Sequence, residues 1–317
     1  MPYEILNLPK MDMGTKWDVD KIENQKGKVV IVTGANSGIG YETAREMSRK
    51  GAEVILACRD EDRGMNAIQN IIEEIPKANL VMAHLDLSDL NQIKKFSEQI
   101  HEDYRKIDIL INNAGVMMDS LTMTKQGFEF HFGINHLGHF ALTGHILDLL
   151  LGEENSRVVN VASIAEKKAK IFWNDLNCER RKYSMWKNYS QSKLANLLFT
   201  FEFKRRFESI GHPLKIVAAH PGLTVTNLSR NVRNENQISD LLWRKIAQHQ
   251  SIGALPTLYA AVGDVESGDY IGPDGIMEFR GHPTKVNSSR SARNAISSSK
   301  LWKISEELTG MEFNRER

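Results

Sequence analysis

Cysteine is nearly missing from this chain of 317 residues: Cys58 and Cys178 are the only two, and neither stands in a C-x-x-C or Cys/His spacing. A disulfide framework and a cysteine-based metal centre are thereby excluded, and a reducing compartment is implied. An excess of one charge is also lacking. With 41 Lys+Arg against 40 Asp+Glu the net charge is +1, which excludes a basic nucleic-acid surface or an acidic tail as the governing feature. No apolar run outlasts about ten residues, where a membrane helix needs roughly 20. The lead of residues 1–27 carries Glu4, Lys10, Asp12, Lys16, Asp18, Asp20, Lys21 and Glu23, so it offers neither a signal-peptide core nor a membrane anchor. A cytoplasmic protein with no nucleic-acid partner is expected. Internal repeats and low-complexity tracts are absent too.

What is present is a large core and a regular rhythm. Hydrophobic residues make up 41% and charged residues 26%, enough for a sizeable soluble body. Length alone would suggest two domains at about 150 residues each, although α/β folds of roughly 250 residues form one. Residues 28–33 are a β-branched apolar run ending in glycines, as a buried parallel strand does. Residues 39–50 follow with Ile39, Ala44 and Met47 at helical spacing and Gly51 as terminator. Strand-like runs recur at 53–57, 79–84, 107–112, 157–162 and 214–219, separated by helical stretches. That alternation predicts an α/β fold, a doubly wound parallel sheet of the Rossmann type in a single domain. The division expected is a polar extension over 1–26, the sheet domain over 27–280 with a substrate loop at 223–248, and a tail with a short helix over 281–317. Segments 166–187, 223–248 and 281–299 break the rhythm and read as functional loops.

The turn Thr33-Gly34-Ala35-Asn36-Ser37-Gly38-Ile39-Gly40 lies where the first strand becomes the first helix. Gly34 permits a tight turn, Gly38 lets main chain approach a pyrophosphate, and Gly40 permits close helix–sheet packing. Asn36, Ser37 and Ile39 complete a ring of amides at a helix N-terminus, where an anion is favoured. A P-loop is excluded because no Lys-Ser/Thr pair follows. The second strand ends Ala57-Cys58-Arg59, with arginine in the region where NAD sites hold an acidic residue. Arg59 can pair with a 2′-phosphate, so NADP(H) is the expected cofactor. Asp86 and Leu87, after the third strand, face the crevice where an adenine could sit, with turn capping by Asp86 as the competing reading, and Ser88 reads as the next helix cap. Asn113, Ala114 and Gly115 suit a turn with its backbone against the cofactor.

Tyr189 and Lys193 are spaced i, i+4 on a helix, so the ammonium can approach the phenol. A tyrosine titrates near 10, and a neighbouring cation favours its phenolate, which makes Tyr189 a candidate general acid/base. Ser163, just past the fifth strand, could hold a substrate oxygen. The amide of Asn135 could hold a water that relays protons to Lys193.

Taken together, Thr33-Gly34-x-x-x-Gly38-Ile39-Gly40, Asn112-Asn113-Ala114-Gly115, Asn135, Ser163, Tyr189-x-x-x-Lys193 and Pro221-Gly222 closely resemble the short-chain dehydrogenase/reductases. The likeness spans about residues 27–275, and its details resemble the retinol dehydrogenase and WW-domain oxidoreductase branch. The resemblance implies NADP-dependent carbonyl or alcohol chemistry, with Tyr189 as proton donor, Lys193 also on the nicotinamide ribose, Ser163 orienting substrate and Asn135 completing a tetrad. It further implies that Pro221 and Gly222 border the nicotinamide, that Thr224 touches its carboxamide or the phosphates, and that a homodimer or homotetramer forms through the helices carrying Asn135 and Tyr189. The segment 269–278 is closer to soluble bacterial-type relatives.

The function expected is hydride transfer between NADP(H) and a carbonyl/alcohol carbon of an apolar small-molecule substrate. Two alternatives stand beside it: a catalytically silent NADP(H)-binding redox sensor or scaffold, and an enone (C=C) reductase. His131, His136, His139 and His145 lack a completing carboxylate or cysteine, so no metal is expected. Met117 and Met118 could line a substrate cavity or pack in the core, aromatic residues of 166–187 could form a lid or simply anchor the loop, and the charges of 179–182 read as solvated.

Overall fold

The computed structural model describes residues 16–152, 155–209, 211–225 and 247–313. Its strands are β1 Val29–Thr33, β2 Glu53–Cys58, β3 Asn79–His84, β4 Ile109–Asn112, β5 Arg157–Val161, β6 Lys215–Ala219, β7 Tyr270–Pro273 and β8 Pro283–Lys285. They form one sheet in the order β3-β2-β1-β4-β5-β6-β7-β8. Every pairing is parallel except β7 with β8. The order reverses between β1 and β4, and a crevice outside the strand ends at such a switch point is where doubly wound sheets bind ligands.

The continuous apolar strands are explained by cover on both faces. Val30 and Val32 of β1 face one layer, with α1 (Gly38–Arg49) and α2 (Glu61–Glu74) supplying Ala44, Met47 and Ile71. Ile31 faces the other, where α3 (Leu90–Asp103) supplies Ile93 and Phe96. On that second side a π-helical segment, Phe132–Gly138, runs into α4 (His139–His145), followed by α5 (Leu147–Leu151) and the long α6 (Met185–Glu208). Two short helices, α7 (Gln250–Gly253) and α8 (Leu255–Val262), return to the first side.

Three sequence expectations change. The cap of α3 is Asp89, not Ser88: Asp89 Oδ1 accepts from Asn91 N at 3.0 Å, while the Ser88 amide and hydroxyl both bond to Asp86 Oδ1. Segment 281–299 is not a loop throughout, because β8 lies within it and α9 (Ala295–Thr309) begins there. Asn294 caps α9 by accepting from Ser297 N at 2.8 Å, and the polar first turn hid this start from apolar periodicity. The charge run 179–182 is not wholly solvated. Arg181 bonds to Asp175 and to Asn188 Oδ1, with its guanidinium 4.1 Å from the Phe172 ring centre.

Helix α9 packs over α4 and α6. Trp302 is buried against Phe140, Phe199 and Phe313 at ring separations of 5.2, 5.7 and 4.7 Å. Arg206 lies 4.5 Å over its ring, and His136 Nε2 bonds to Ser305 Oγ at 2.8 Å. At the other end of the chain, Trp17 meets Tyr259 edge-on at 5.1 Å and Ile22 is buried. Among the described residues no helix is long and apolar enough to cross a membrane.

Candidate active site

The glycine turn is built as its residues demand. Gly34 and Gly38 take φ of +66° and +61°, which L side chains rarely adopt. A Cβ at Gly40 would come within 2.4 Å of Asn113 Nδ2 and 2.5 Å of the Gly34 carbonyl, so α1 can approach the sheet only with glycine there. Ser37 sits at the N-cap of α1 but makes no side-chain cap bond, which leaves the first amides directed outward. Asn36, Ser37 and Gly38 share a cleft of about 310 Å³ with Tyr41, Arg63, Asn66, Ala67, Asn70 and Gln250. Arg59 is exposed at the end of β2 and makes no ion pair among the described residues. Outward amides, a crowded glycine cradle and an open cation together fit a dinucleotide with a phosphorylated ribose.

Asp86 is occupied as a turn cap by Ser88, and Leu87 is buried, its carbonyl 2.7 Å from where a Cβ on Gly138 would stand. After β4, Asn113 N and Ala114 N both donate to Thr33 Oγ1 at 2.9 Å, and Asn113 Nδ2 donates to Thr33 O at 2.8 Å. Thr33 is therefore the hub that fixes the turn Asn113-Ala114-Gly115, a role the glycine pattern alone did not assign. Its hydroxyl also meets His139 Nε2 at 2.9 Å. His139 Nδ1 lies 3.1 Å from the Asn135 carbonyl and donates to it, so Nε2 accepts and Thr33 donates. Burial pushes His139 and His136 down to about 3, which keeps both neutral.

Asn135 sits in the π-helical segment. Its Oδ1 accepts from Val116 N at 2.8 Å, and its Nδ2 donates to Ser192 Oγ at 2.9 Å and Val116 O at 3.3 Å. The amide thus ties the turn after β4 to α6. Both amide atoms have protein partners, Oδ1 with one of its two lone pairs. A π-turn was not legible in the sequence, though Gly133 and Gly138 flank it where a Cβ would strike Thr124 Cγ2 and the Leu87 carbonyl.

Tyr189 and Lys193 lie one turn apart on α6, both buried, with the ammonium 5.8 Å from the phenol ring centre. Lys193 Nζ donates to Val161 O at 2.9 Å, and burial lowers its pKa to about 8. Burial also raises the Tyr189 pKa, and a hydrogen bond from Ser163 opposes that rise. Ser163 Oγ accepts from Ala165 N at 3.2 Å as cap of the turn Ile164–Lys168, so its proton is free for Tyr189.

The substrate side is firm. Glu129 and His131, both fully buried, pair at 2.6 Å, and His131 Nε2 accepts from Met118 N at 3.0 Å. Tyr183 donates to Met118 O at 2.6 Å, and Gln191 holds Phe172 N and Leu176 O. These bonds anchor segment 166–187 at several points, and only Trp186 among its large apolar residues is exposed. Pro221 and Gly222 follow β6; Thr224 Oγ1 donates to Pro221 O at 2.7 Å. Most of the expected substrate loop, 226–246, lies outside the described residues. Among the described residues no group of three His, Cys, Asp or Glu is placed to hold a metal ion.

A nucleotide cradle at a switch point, beside a Tyr/Lys/Ser set on one side of the sheet, defines an oxidoreductase class, and the relatives agree. The profile of the short chain dehydrogenase family matches residues 28–237, and the chain belongs to that family. It is similar to Retinol dehydrogenase 12 of Mus musculus, with 42% identity over 293 residues, covering 90% of this chain and 88% of that protein. Retinol dehydrogenase 13 of Homo sapiens is 38% identical, covering 90% and 86%. Among solved structures, an uncharacterised protein from Mycobacterium paratuberculosis superposes with a TM-score of 0.80 at 39% identity, covering 95% of this chain and all of that one. A short-chain dehydrogenase from Shigella flexneri complexed with NADP shares the fold, with a TM-score of 0.61 at 24% identity over 79% and 98% of the two chains.

Proposed function

We propose that the protein is an NADP(H)-dependent dehydrogenase/reductase that interconverts a carbonyl and an alcohol on an apolar small molecule. The observation that carries this reading is the burial of Tyr189 and Lys193 one turn apart on α6 beside the strand ends, with the half-buried Ser163 hydroxyl bearing on the phenol. When bound, NADP(H) would supply or accept the hydride. The amides of residues 36–40 would hold its pyrophosphate, Arg59 its 2′-phosphate, and Asp86, Leu87 and residues 113–115 would border its adenosine half. Lys193, Pro221, Gly222 and Thr224 would surround the nicotinamide ribose and ring.

The chain's own chemistry is proton management. Tyr189 gives its phenolic proton to the substrate oxygen during reduction and recovers it during oxidation. Ser163 donates to whichever oxygen bears developing charge, the phenolate or the substrate alkoxide. Asn135 holds Val116, in the segment after β4, and α6 in register, so that Tyr189 and the turn after β4 stay together. Burial around Met117, Tyr183 and Phe172 favours an apolar substrate, and the retinol dehydrogenase relatives make retinoids the first class to try.

Two features disfavour redox sensing through a thiol, while the NADP(H)-binding sensor without turnover is left to the screen below. Both cysteines are buried and unpaired, and burial raises the Cys58 thiol to about 11, far from a reactive thiolate at neutral pH. Unpaired cysteines suit a reducing, cytoplasmic setting. A homodimer or homotetramer stays part of the proposal, with α9 packed over α4 and α6 in each chain, and light scattering measures the assembly. A screen of aldehydes, ketones, retinoids, steroids and enones with NADPH tests the reading. Carbonyl-dependent NADPH oxidation supports it, while tight NADPH binding without turnover on any class, or turnover confined to enones, overturns it.

A further inference from the structure

His220 follows β6 directly and is fully buried. Its Nδ1 accepts from Gly222 N at 3.2 Å, and its Nε2 lies 3.0 Å from Glu278 Oε2. A main-chain N–H can only donate, so Nδ1 is the bare nitrogen and Nε2 carries the proton given to Glu278. The other carboxylate oxygen of Glu278 accepts from Lys167 Nζ at 2.6 Å. Lys167 belongs to the turn Ile164–Lys168 that Ser163 caps. One continuous chain of contacts therefore runs from the Ser163 turn, through Glu278 and His220, to the turn at Pro221 and Gly222.

The segment that delivers Glu278 is strained. Met277 and Glu278 have φ of +53° and +59°, a conformation non-glycine residues rarely hold in succession. Ile276 and Met277 are 88% and 69% exposed, so apolar burial does not impose it. The surrounding backbone is shaped to the imidazole. A Cβ on Gly272 would stand 2.1 Å from His220 Nε2, and one on Gly222 would stand 2.4 Å from the Phe279 carbonyl. Leu223 N donates to that same carbonyl at 2.7 Å. Strain without apolar gain, ending in a carboxylate that fixes a buried tautomer, marks a segment kept for the placement of another group.

We propose that Glu278, acting through His220, is a positioning residue that fixes the Pro221–Gly222 turn against the nicotinamide end of NADP(H). The proposal rests on the reading that this turn borders the nicotinamide. Glu278 holds the His220 proton on Nε2, which keeps Nδ1 bare for Gly222 N. Without the carboxylate the imidazole can carry its proton on Nδ1, where it opposes the Gly222 N–H, and the turn is released.

The test compares Glu278→Ala, Glu278→Gln and Tyr189→Phe in the full chain. NADPH dissociation constants come from fluorescence titration, alongside melting temperatures and steady-state KM for NADPH and for a carbonyl substrate. Glu278→Ala should weaken NADPH binding about tenfold, the scale of one lost hydrogen bond. KM for the carbonyl substrate should stay within about twofold, since the lost bond lies on the cofactor side. Glu278→Gln should restore NADPH binding to within about twofold of the native value, because its amide oxygen can accept the same proton. If Glu278→Ala is too unstable to assay, His220→Phe serves: its ring fills the imidazole's space but offers Gly222 N no acceptor, and it should also lose about tenfold in NADPH affinity. The proposal falls if Glu278→Ala or His220→Phe binds NADPH as the native protein does, or if Glu278→Gln loses as much as Glu278→Ala. Native turnover that survives in Tyr189→Phe instead overturns the acid/base reading and leaves the positioning result to stand by its own binding data. A native chain that does not bind NADPH overturns both.

Discussion

Between β1 and β3 the site is made of main chain, whereas between β4 and β7 it is made of buried side chains. On the first side Gly34, Gly38 and Gly40 clear space so that amides at the α1 N-terminus can face an anion, and Arg59 stands exposed at the end of β2. On the second side His139, Asn135 and Ser192 form, with Thr33 at the end of β1, one buried chain of hydrogen bonds; Glu129–His131 is a buried pair, and the buried His220 pairs with the partly exposed Glu278. Under the proposed function the difference follows from the work asked of each side. Holding an anion requires donors in number, which backbone supplies without sequence detail, while moving one proton requires a few side chains held at fixed separations. Damage should accordingly be graded and local on the first side, and abrupt on the second.

Tyr189→Phe tests the second side hardest. Removing one hydroxyl should lower kcat for carbonyl reduction by about 10²–10⁴-fold, the range of a lost general acid. NADPH affinity should hold, since the phenol ring and its packing remain. A variant that keeps a tenth or more of native kcat would remove Tyr189 from the chemistry, and one that loses cofactor binding would show the two sides to be less separate than their construction suggests.

Acid stability probes the same buried side. His136 and His139 are held neutral, with pKa values near 3 against 6.5 in an unfolded chain. Between those values the unfolded chain binds more protons, so stability rises with pH across this window and is lost as pH falls from 6.5 toward 3. Each histidine contributes about 1.4 kcal/mol per pH unit, so the pair should remove ~4 kcal/mol between pH 7 and pH 5. Urea unfolding at the two pH values measures it. His136→Gln, whose amide can still donate toward Ser305, should shrink the pH-dependent loss by about half, and an unchanged loss would place the acid sensitivity elsewhere.

The same contrast explains what could be read in advance. Strand β1, the glycine turn, Gly51 and the Tyr189/Lys193 spacing are local patterns set by period and backbone sterics, and each stands where its residues put it. Thr33 as hub, the bonded Asn135 amide and the His220 tautomer depend on partners 57 to 106 residues away in sequence. No window of neighbouring residues contains that information. The π-turn at Phe132–Gly138 and the early start of α9 escaped for a related reason, since tertiary contacts and a polar capping turn, rather than apolar periodicity, define them.

On the main-chain side Arg59→Ala should act on cofactor choice alone. A charge-assisted bond to a 2′-phosphate contributes about 1.5–3 kcal/mol, so the ratio of NADPH to NADH catalytic efficiency should fall about 10- to 100-fold. Efficiency with NADH should barely move, as should the melting temperature, because Arg59 is exposed and makes no ion pair among the described residues. Equal losses with both cofactors would mean that Arg59 shapes the turn rather than reading the phosphate.

The smallest effects lie at two neighbouring helix starts on that side, which are capped differently. Asp60 Oδ1 accepts from Arg63 N at 3.0 Å and closes the first turn of α2, while Ser37 at the start of α1 makes no side-chain cap bond. A cap that accepts a helix amide stabilises the fold, and one that leaves its amides outward reserves them for a ligand. Asp60→Ala should therefore cost about 1 kcal/mol in urea unfolding with NADPH affinity held within a factor of about two. Ser37→Ala should leave unfolding unchanged to within about 0.5 kcal/mol while weakening NADPH several-fold, by removing a hydroxyl from the anion's edge. If Ser37→Ala instead loses stability and keeps its affinity, the α1 terminus is an ordinary capped helix, and the main-chain side of the site would have to find its anion donors elsewhere.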